Sequence, residues 1–96
     1  MVIYQVQVVV QPQIEGEWLD WMKKVHVPDL MATGLIVSSQ ITKSLDDAHT
    51  YYFSYWFHSQ EHYQSYVRDH APRLKAHPIE VFGEKFVASR KLLEVI

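Results

Sequence analysis

The hydrophobic period of the chain changes from two residues to a helical spacing between Val10 and Ile14. Apolar and polar residues alternate through positions 2–10, which is the signature of a β-strand with two different faces. One face carries Val2, Tyr4, Val6, Val8 and Val10, and the other includes Gln5 and Gln7. Pro12 ends this strand, because proline cannot donate a backbone hydrogen bond.

The next segment predicts an amphipathic helix that begins near Ile14. Its apolar stripe consists of Ile14, Trp18, Trp21, Met22, Val25 and His26. Pro28 lacks the N–H that would bond the carbonyl of Lys24, and it also disfavours the helical conformation at Val27. The main helix should therefore kink or end at about Val27, and a further short turn should close at Gly34.

The remaining elements follow from similar patterns. Strands are predicted at residues 35–45, 50–58 and 85–93, with a hairpin turn at 46–49. A second helix should begin after Ser59 and run to about Ala71, whereas residues 75–84, which contain Pro78, should form a loop with a helical turn. The order β-α-β-β-α-β indicates an α+β, ferredoxin-like fold in one domain, residues 1–96, with two helices on one face of a four-stranded antiparallel sheet.

Bulky aromatic residues occupy both faces of the third predicted strand, TYYFSYWFH. Tyr51, Phe53 and Tyr55 point one way, and Tyr52 and Trp56 point the other way. Two helices cover only one face of such a sheet, and a face left in water should be mostly polar. We therefore expect a homodimer through the open sheet face, although half-exposed aromatic side chains are the simpler alternative.

Charge and composition exclude several classes of function. The net charge is −2, with 9 basic and 11 acidic residues, so the basic footprint that nucleic-acid binding requires is missing. There is no cysteine, and no apolar run approaches the ~20 residues of a membrane span. The first ten residues look like a strand and not a signal peptide, which favours a cytoplasmic protein without membrane or nucleic-acid partners.

Four stretches, distributed along the chain between residues 3 and 94, resemble the dimeric α/β-barrel superfamily and, within it, a small bacterial family of unknown function. They are IYQVQVVV, EWLDWMKKVHVPDLMATG, YVRDHAPRL and FGEKFVASRKLLE. The resemblance implies a dimer and a pocket between helices and sheet in each subunit. It does not imply one reaction, because the superfamily includes cofactor-free monooxygenases, haem-degrading enzymes and isomerases. The chain lacks asparagine, which counts against the mechanism of the cofactor-free monooxygenases.

His26 is the first candidate for catalysis. It follows Met22 by four residues and Trp18 by eight, so it faces the same side of the helix. A partly buried imidazole is a natural acid or base, but this one could instead hold the kink by bonding a backbone carbonyl. In haem-degrading relatives a histidine of the second helix ligates iron, and His70 would take that place. Nothing else in the sequence supports haem, so no resident cofactor is expected.

An aromatic pocket is the second prediction, and its alternative is an ordinary core. Arg90 lies on a strand that should be largely covered, so it needs an anion. That anion is a ligand carboxylate or an acid across the dimer. The predicted ligand contacts are Trp18, Trp21, Met22, Tyr55, Trp56, His70 and Arg90. Histidine spacing indicates no metal site.

Three functions remain open at this level. The first expectation is a small-molecule-binding protein, in which His26 would transfer a proton in the isomerisation or oxidation of an aromatic or cyclic compound. The resemblance to haem-degrading relatives leaves a monooxygenase of that type as another alternative. The competing possibility is a non-catalytic dimerisation or regulatory module whose pocket is filled by its own side chains.

Overall fold

The fold is an antiparallel sheet covered on one face by helices, in a computed structural model that describes all residues, 1–96. The strands are β1 (Val2–Val10), β2 (Ile36–Lys43), β3 (Thr50–Phe57) and β4 (Phe86–Glu94). The helices are α1 (Glu15–Trp21), α2 (Val27–Met31), α3 (Gln60–Asp69) and α4 (Ala71–Phe82), with a 3₁₀ turn at Pro12–Ile14 and a π-helical turn at Met22–His26. The predicted ferredoxin-like α+β architecture is confirmed.

Strand β1 lies in the interior of the sheet, whose order is β2-β3-β1-β4. Its register places Tyr4 opposite Tyr55 on β3 and opposite Leu92 on β4. Strands β2 and β4 are the two edges, and β2 carries an irregularity between Ile36 and Ser38. Because β4 pairs on only one side, its free edge can border an opening to solvent.

The apolar stripe of β1 faces the helices, as its alternation predicts. Alternate residues of β3 join it, and Tyr51, Phe53, Tyr55 and Phe57 are all buried. The helices contribute Trp18, Met22, Leu30, Tyr66, Leu74 and Phe82 to the same core. The core thus lies in one layer between the helices and the inner face of the sheet.

Pro28 does not stop the helical path at Val27. The wider turn Met22–His26 precedes it, and the N–H of Val27 donates to the carbonyl of Met22, five residues back. Pro28 then occupies the first turn of α2, where an N–H is not needed. Gly34, at φ 77°, closes the segment as expected.

The prediction of a loop at 75–84 is wrong, because α4 continues through Pro78 to Phe82. Leu74, Pro78 and Phe82 are four residues apart and buried on one face. Their shared burial outweighs the hydrogen bond that Pro78 cannot donate. Gly83, at φ 65°, ends the helix and turns the chain toward β4.

The outer face of the sheet is uncovered in the single chain. Its half-exposed aromatic residues are Tyr52 and Trp56, in agreement with the predicted parity of β3. Apolar side chains on the neighbouring strands are also exposed there, with Val9 at 43%, Val87 at 72% and Leu93 at 39%. No helix in the structure is both long enough and apolar enough to span a membrane.

Candidate functional site

A cavity of about 250 Å³ lies between the helices and the inner face of the sheet. The strands contribute Tyr4, Val6, Val8, Phe53, Tyr55, Phe86, Ala88 and Arg90 to its wall. The helices and the turn after α4 contribute Trp18, Met22, His26, Leu30, Tyr66, Leu74, Lys75, Pro78, Ile79, Gly83 and Glu84. The wall is mostly apolar, with a few polar groups, as in small-molecule sites generally.

The exposed part of this wall shows where the cavity opens. Its exposed residues include Lys75, Ile79, Glu84 and Arg90, whereas the wall residues from β1 and β3 are buried or half-buried. All four lie on α4, on the turn that follows it, or on edge strand β4. The mouth is therefore a gap between α4 and β4, and its side chains carry two positive charges and one negative charge.

Arg90 is anchored at the mouth by Tyr4. Its Nε donates a hydrogen bond of 2.9 Å to the hydroxyl of Tyr4, which is buried on β1. Burial raises the pKa of Tyr4, and the charge and hydrogen bond of Arg90 partly offset that rise. The ion pairs of the structure do not include Arg90. Its guanidinium is thus held by a neutral partner while its charge remains uncompensated.

His26 is half-buried at the end of the π-helical turn and forms part of the cavity wall. Burial lowers its pKa to about 4, and the charges of His77 and Arg90 act in the same direction, whereas Asp29 opposes them. The imidazole is therefore neutral at physiological pH. Its Nδ1 is buried without a hydrogen-bond partner, which is unusual for a polar atom in a protein interior.

Trp21, which does not line the cavity, stacks against this imidazole. The two rings stack with their centroids 5.9 Å apart and their planes 22° apart. Trp21 in turn meets His77 and Phe82 edge-on, at 5.0 and 5.4 Å. The ring of His26 is thus held by an aromatic contact with Trp21.

Three tyrosine rings lie close together in the cavity wall, namely Tyr4, Tyr55 and Tyr66. Tyr55 and Tyr66 lie 6.1 and 5.9 Å from the Tyr4 ring and also line the wall. Burial raises the pKa of both Tyr55 and Tyr66 far above the ordinary value. Their hydroxyls therefore remain protonated and can donate hydrogen bonds to a ligand.

The structure brings five of the predicted site residues together on one cavity wall, namely Trp18, Met22, His26, Tyr55 and Arg90. Trp18 is fully buried there, and its Nε1, like Nδ1 of His26, has no hydrogen-bond partner. The chain supplies partners for neither atom. What these residues do to a ligand remains a prediction.

Three predicted contacts do not line the cavity, which corrects their expected position. Trp21 stacks against His26 without lining the cavity, and Trp56 lies on the outer face of the sheet because its parity is opposite to that of Tyr55. His70 occupies the junction between α3 and α4, where its backbone N–H donates a hydrogen bond to the carbonyl of Tyr66. It does not line the cavity.

Sequence reasoning missed Tyr4, Tyr66, Lys75 and Glu84 as parts of the site. Tyr4 shares the parity of Val6 and Val8 on β1, so the alternation of the sequence predicts that its side chain points inward. The hydrogen bond between Tyr4 and Arg90 could not be predicted in this way. Lys75 and Glu84 were assigned to a loop, and only the continuation of α4 to Phe82 brings them to the mouth.

A separate polar cluster joins α1 to the hairpin between β2 and β3. Glu15 accepts hydrogen bonds of 2.6 Å from the Tyr51 hydroxyl and from Nδ1 of His49. The hydrogen bonds from Tyr51 and His49 lower the pKa of Glu15, and the Tyr51 pKa rises to about 12 through burial and the neighbouring carboxylate. His49 has a φ of 57°, so this cluster also anchors a left-handed turn residue.

No group of three or more His, Cys, Asp or Glu side chains is arranged to hold a metal ion.

Comparison of the sequence with protein families gives one match over the full length. Residues 1–96 match a family described as a domain of unknown function, DUF4286. Among curated proteins, no sequence matches this chain significantly.

Solved structures show the same fold. A structure described as an antibiotic biosynthesis monooxygenase has a TM-score of 0.71 at 11% identity, with 100% of this chain and 99% of that chain covered. A dimeric ferredoxin-like protein from an uncultured marine organism has a TM-score of 0.76 at 15% identity, with 99% and 94% covered. A mutant of MhuD with two manganese protoporphyrin IX molecules bound per active site has a TM-score of 0.74 at 16% identity, with 100% and 95% covered. Likeness at such low identity establishes the fold alone.

Proposed function

The chain belongs to the DUF4286 family, a domain of unknown function, and from that premise we propose that it binds a small aromatic or cyclic compound in the cavity beside His26. The observation that carries the proposal is the open cavity of about 250 Å³, whose wall contains the half-buried imidazole of His26 with its Nδ1 buried and unpaired. A domain that served only for dimerisation would gain stability by filling this space with its own side chains. The retained cavity therefore supports ligand binding over that alternative.

The cavity volume limits the size of the compound. An apolar cavity of about 150 Å³ accommodates benzene, which has six carbon atoms. By the same proportion, about 250 Å³ accommodates roughly ten non-hydrogen atoms, which corresponds to a single ring with a short substituent. The aromatic walls at Trp18, Phe53 and Tyr55 would pack against such a ring.

We assign His26 the role of proton acceptor in a reaction that needs no cofactor. Its imidazole is neutral at physiological pH because burial lowers its pKa to about 4, so the ring can accept a proton. A ligand that develops negative charge beside it would raise this pKa and strengthen the base. Protonated hydroxyls at Tyr55 and Tyr66 would donate hydrogen bonds to the oxygen on which that charge develops. This arrangement suits isomerisation or the first step in oxidation of a cyclic compound.

A haem-degrading activity is the alternative that the protoporphyrin-bound neighbour suggests. A porphyrin macrocycle is several times larger than benzene, and the cavity does not accommodate it. His70, the histidine expected to ligate iron, is not on the cavity wall. The residues therefore do not fit a haem, and we derive no step through one.

We also propose that two chains pair through their outer sheet faces. Support comes from the exposed apolar residues Val9, Val87 and Leu93 on β1 and β4, and from Tyr52 and Trp56 on the neighbouring strand β3. One neighbour is described as a dimeric ferredoxin-like protein. Burying these side chains against a twofold-related copy would remove them from water.

Ligand binding can be tested with phenol and isothermal titration calorimetry. We expect phenol to bind the wild-type protein and not the variant Ala88→Phe, because Ala88 lines the cavity and a larger ring would fill it. The control is Ala32→Phe, the same change at an exposed residue that does not line the cavity. Equal affinity of phenol for all three proteins would contradict the proposed site.

Proton transfer can be tested with cyclohexanone in D₂O, by following exchange of the protons next to the carbonyl with NMR. The wild-type protein should accelerate exchange, and His26→Gln should reduce the protein-dependent rate by about a hundredfold, the lower end of a general-base contribution. If the variant were as fast as wild type, His26 would not be the base, even where phenol still bound.

The dimer can be tested by multi-angle light scattering. We expect a particle of twice 11.3 kDa for wild type and a single chain for Val87→Lys, because a charge would be buried at the interface. The control is Val81→Lys on α4, another exposed valine that lies away from the sheet face. A wild-type particle of 11.3 kDa would refute the pairing.

A further inference from the structure

Arg90 has no acidic partner. Other lysines and arginines of the chain also lack one, so the feature that sets Arg90 apart is its hydrogen bond to a buried tyrosine. Lys24 pairs with Asp20 at 3.0 Å and Arg68 pairs with Asp69 at 2.9 Å. Arg90 instead donates its Nε to the neutral hydroxyl of Tyr4. Its remaining N–H groups belong to a planar fork whose geometry matches a carboxylate.

The bond to Tyr4 also restricts where the guanidinium can go. Tyr4 is buried and packs against the rings of Tyr55, Tyr63 and Tyr66, with centroid distances of 6.1, 5.5 and 5.9 Å. A side chain held through Nε loses less conformational freedom when its other nitrogens bind a ligand. Arg90 is therefore oriented at the cavity mouth before a ligand arrives.

The charges around the mouth favour an anion. Lys75 and Arg90 are cationic, and Glu84 is the one acid on the cavity wall. Glu84 forms no ion pair with either cation. Deeper in the cavity the wall is apolar, with Val8, Phe53 and Leu74 among its residues. An apolar body would enter this region while a negative group remained at the mouth.

We infer that the ligand of this cavity is a single-ring organic acid, with its ring among the apolar walls and its carboxylate bound by the Arg90 guanidinium that Tyr4 orients. The inference rests on the proposed function, since it names the chemical class that the same cavity binds. The size limit of roughly ten non-hydrogen atoms leaves room for a ring, a carboxylate and little else. The carboxylate would lie at the partly exposed mouth, so only the ring would need to leave water completely.

The test compares two acids with their uncharged amides of nearly the same shape. Benzoate is paired with benzamide, and phenylacetate with phenylacetamide, and dissociation constants are measured by calorimetry at neutral pH. We expect each acid to bind about tenfold more tightly than its amide. The preference for the acid over its amide should decrease as salt is added, because the charge of Arg90 that would bind the carboxylate lies near the surface.

Variants of Arg90 distinguish the contribution of its charge to binding from the contribution of the apolar cavity. Arg90→Gln should weaken the binding of the acids more than that of the amides and so abolish the preference, whereas Arg90→Lys should keep part of it. The control is Lys91→Gln, the next residue on β4, which has the opposite parity and lies outside the cavity wall. It should retain the full preference.

Two results would overturn the inference, and they differ in their meaning for the proposed function. Amides that bind as tightly as acids, or an Arg90→Gln change that weakens both equally, would refute the acid ligand while leaving a ring-binding cavity. If neither acids nor amides nor phenol bound, both the inference and the proposed function would fail.

Discussion

Replacing His26 with glutamine should remove much of the acid sensitivity of this fold. Burial lowers the pKa of His26 from 6.5 to about 4 in the folded protein. Above pH 6.5 the imidazole is neutral in both the folded and unfolded chains, so it adds no pH dependence. As the pH falls from 6.5 to 4, the unfolded chain binds a proton that the folded chain does not, and stability decreases.

The size of this effect follows from the shift in pKa. Each unit corresponds to about 1.4 kcal/mol, so the full decrease is about 3 kcal/mol, nearly complete by pH 4. At pH 4.5 the wild-type protein should have lost about 2 to 3 kcal/mol through this group alone. His26→Gln lacks the titrating imidazole, so its stability relative to wild type should rise by that amount between pH 7.5 and pH 4.5.

The measurement is urea unfolding of both proteins at several pH values and one protein concentration, followed by tryptophan fluorescence. Loss of the ring stack with Trp21 will shift the variant by a constant amount, so the slope against pH is what matters. His58→Gln is the matched control, since it makes the same substitution at an exposed histidine that does not line the cavity. Parallel curves for wild type and His26→Gln would refute a buried imidazole of lowered pKa.

Three further predictions concern the core, the polar cluster and the tyrosines. Leu74→Ala should lower the free energy of unfolding by about 2–5 kcal/mol because Leu74 is buried, whereas Val67→Ala at an exposed position should change it by less than about 0.5 kcal/mol. Glu15→Gln and Tyr51→Phe should each lower the Tm. Because both changes disrupt the same hydrogen bond, the double variant should lose less stability than the sum of the two single losses, and strictly additive losses would contradict that coupling. The Glu15 contribution should disappear as the pH falls through its lowered pKa. In an alkaline titration by ultraviolet absorbance, Tyr55→Phe should leave the tyrosinate signal of the folded protein unchanged, because burial keeps the Tyr55 hydroxyl protonated; a smaller signal in the variant would show that it ionises.

Alternation and helical spacing were sufficient to predict most of the fold. The inward parity of Tyr51, Phe53 and Tyr55 agrees with the structure, because side chains of a strand must alternate between its two faces. The error at 75–84 arose from treating Pro78 as a helix breaker. Helix propensity disfavours proline within a helix. It does not take into account the free energy gained by burying Leu74 and Phe82, which lie four residues before and after Pro78.

The site was predicted in part for the same reason. Trp18, Met22 and His26 share one helix face, so their convergence on the core could be derived from spacing alone. Trp56 was included because it is aromatic, although its parity sends it to the outer face. Tyr4 and Arg90 are 86 positions apart, and no local pattern indicates that they are hydrogen-bonded.

The amino-acid sequence by itself determined the order of the four strands, the two faces of β1 and of β3, and the helix face that carries His26. These are local properties, because they depend on the backbone period and on neighbours within a few residues. Only the tertiary structure decided that space remains between the layers, that Nδ1 of His26 has no partner, and that Arg90 bonds Tyr4 at the mouth. Each of these depends on how distant side chains fill a shared volume, and packing of that kind has no periodic signature along the chain.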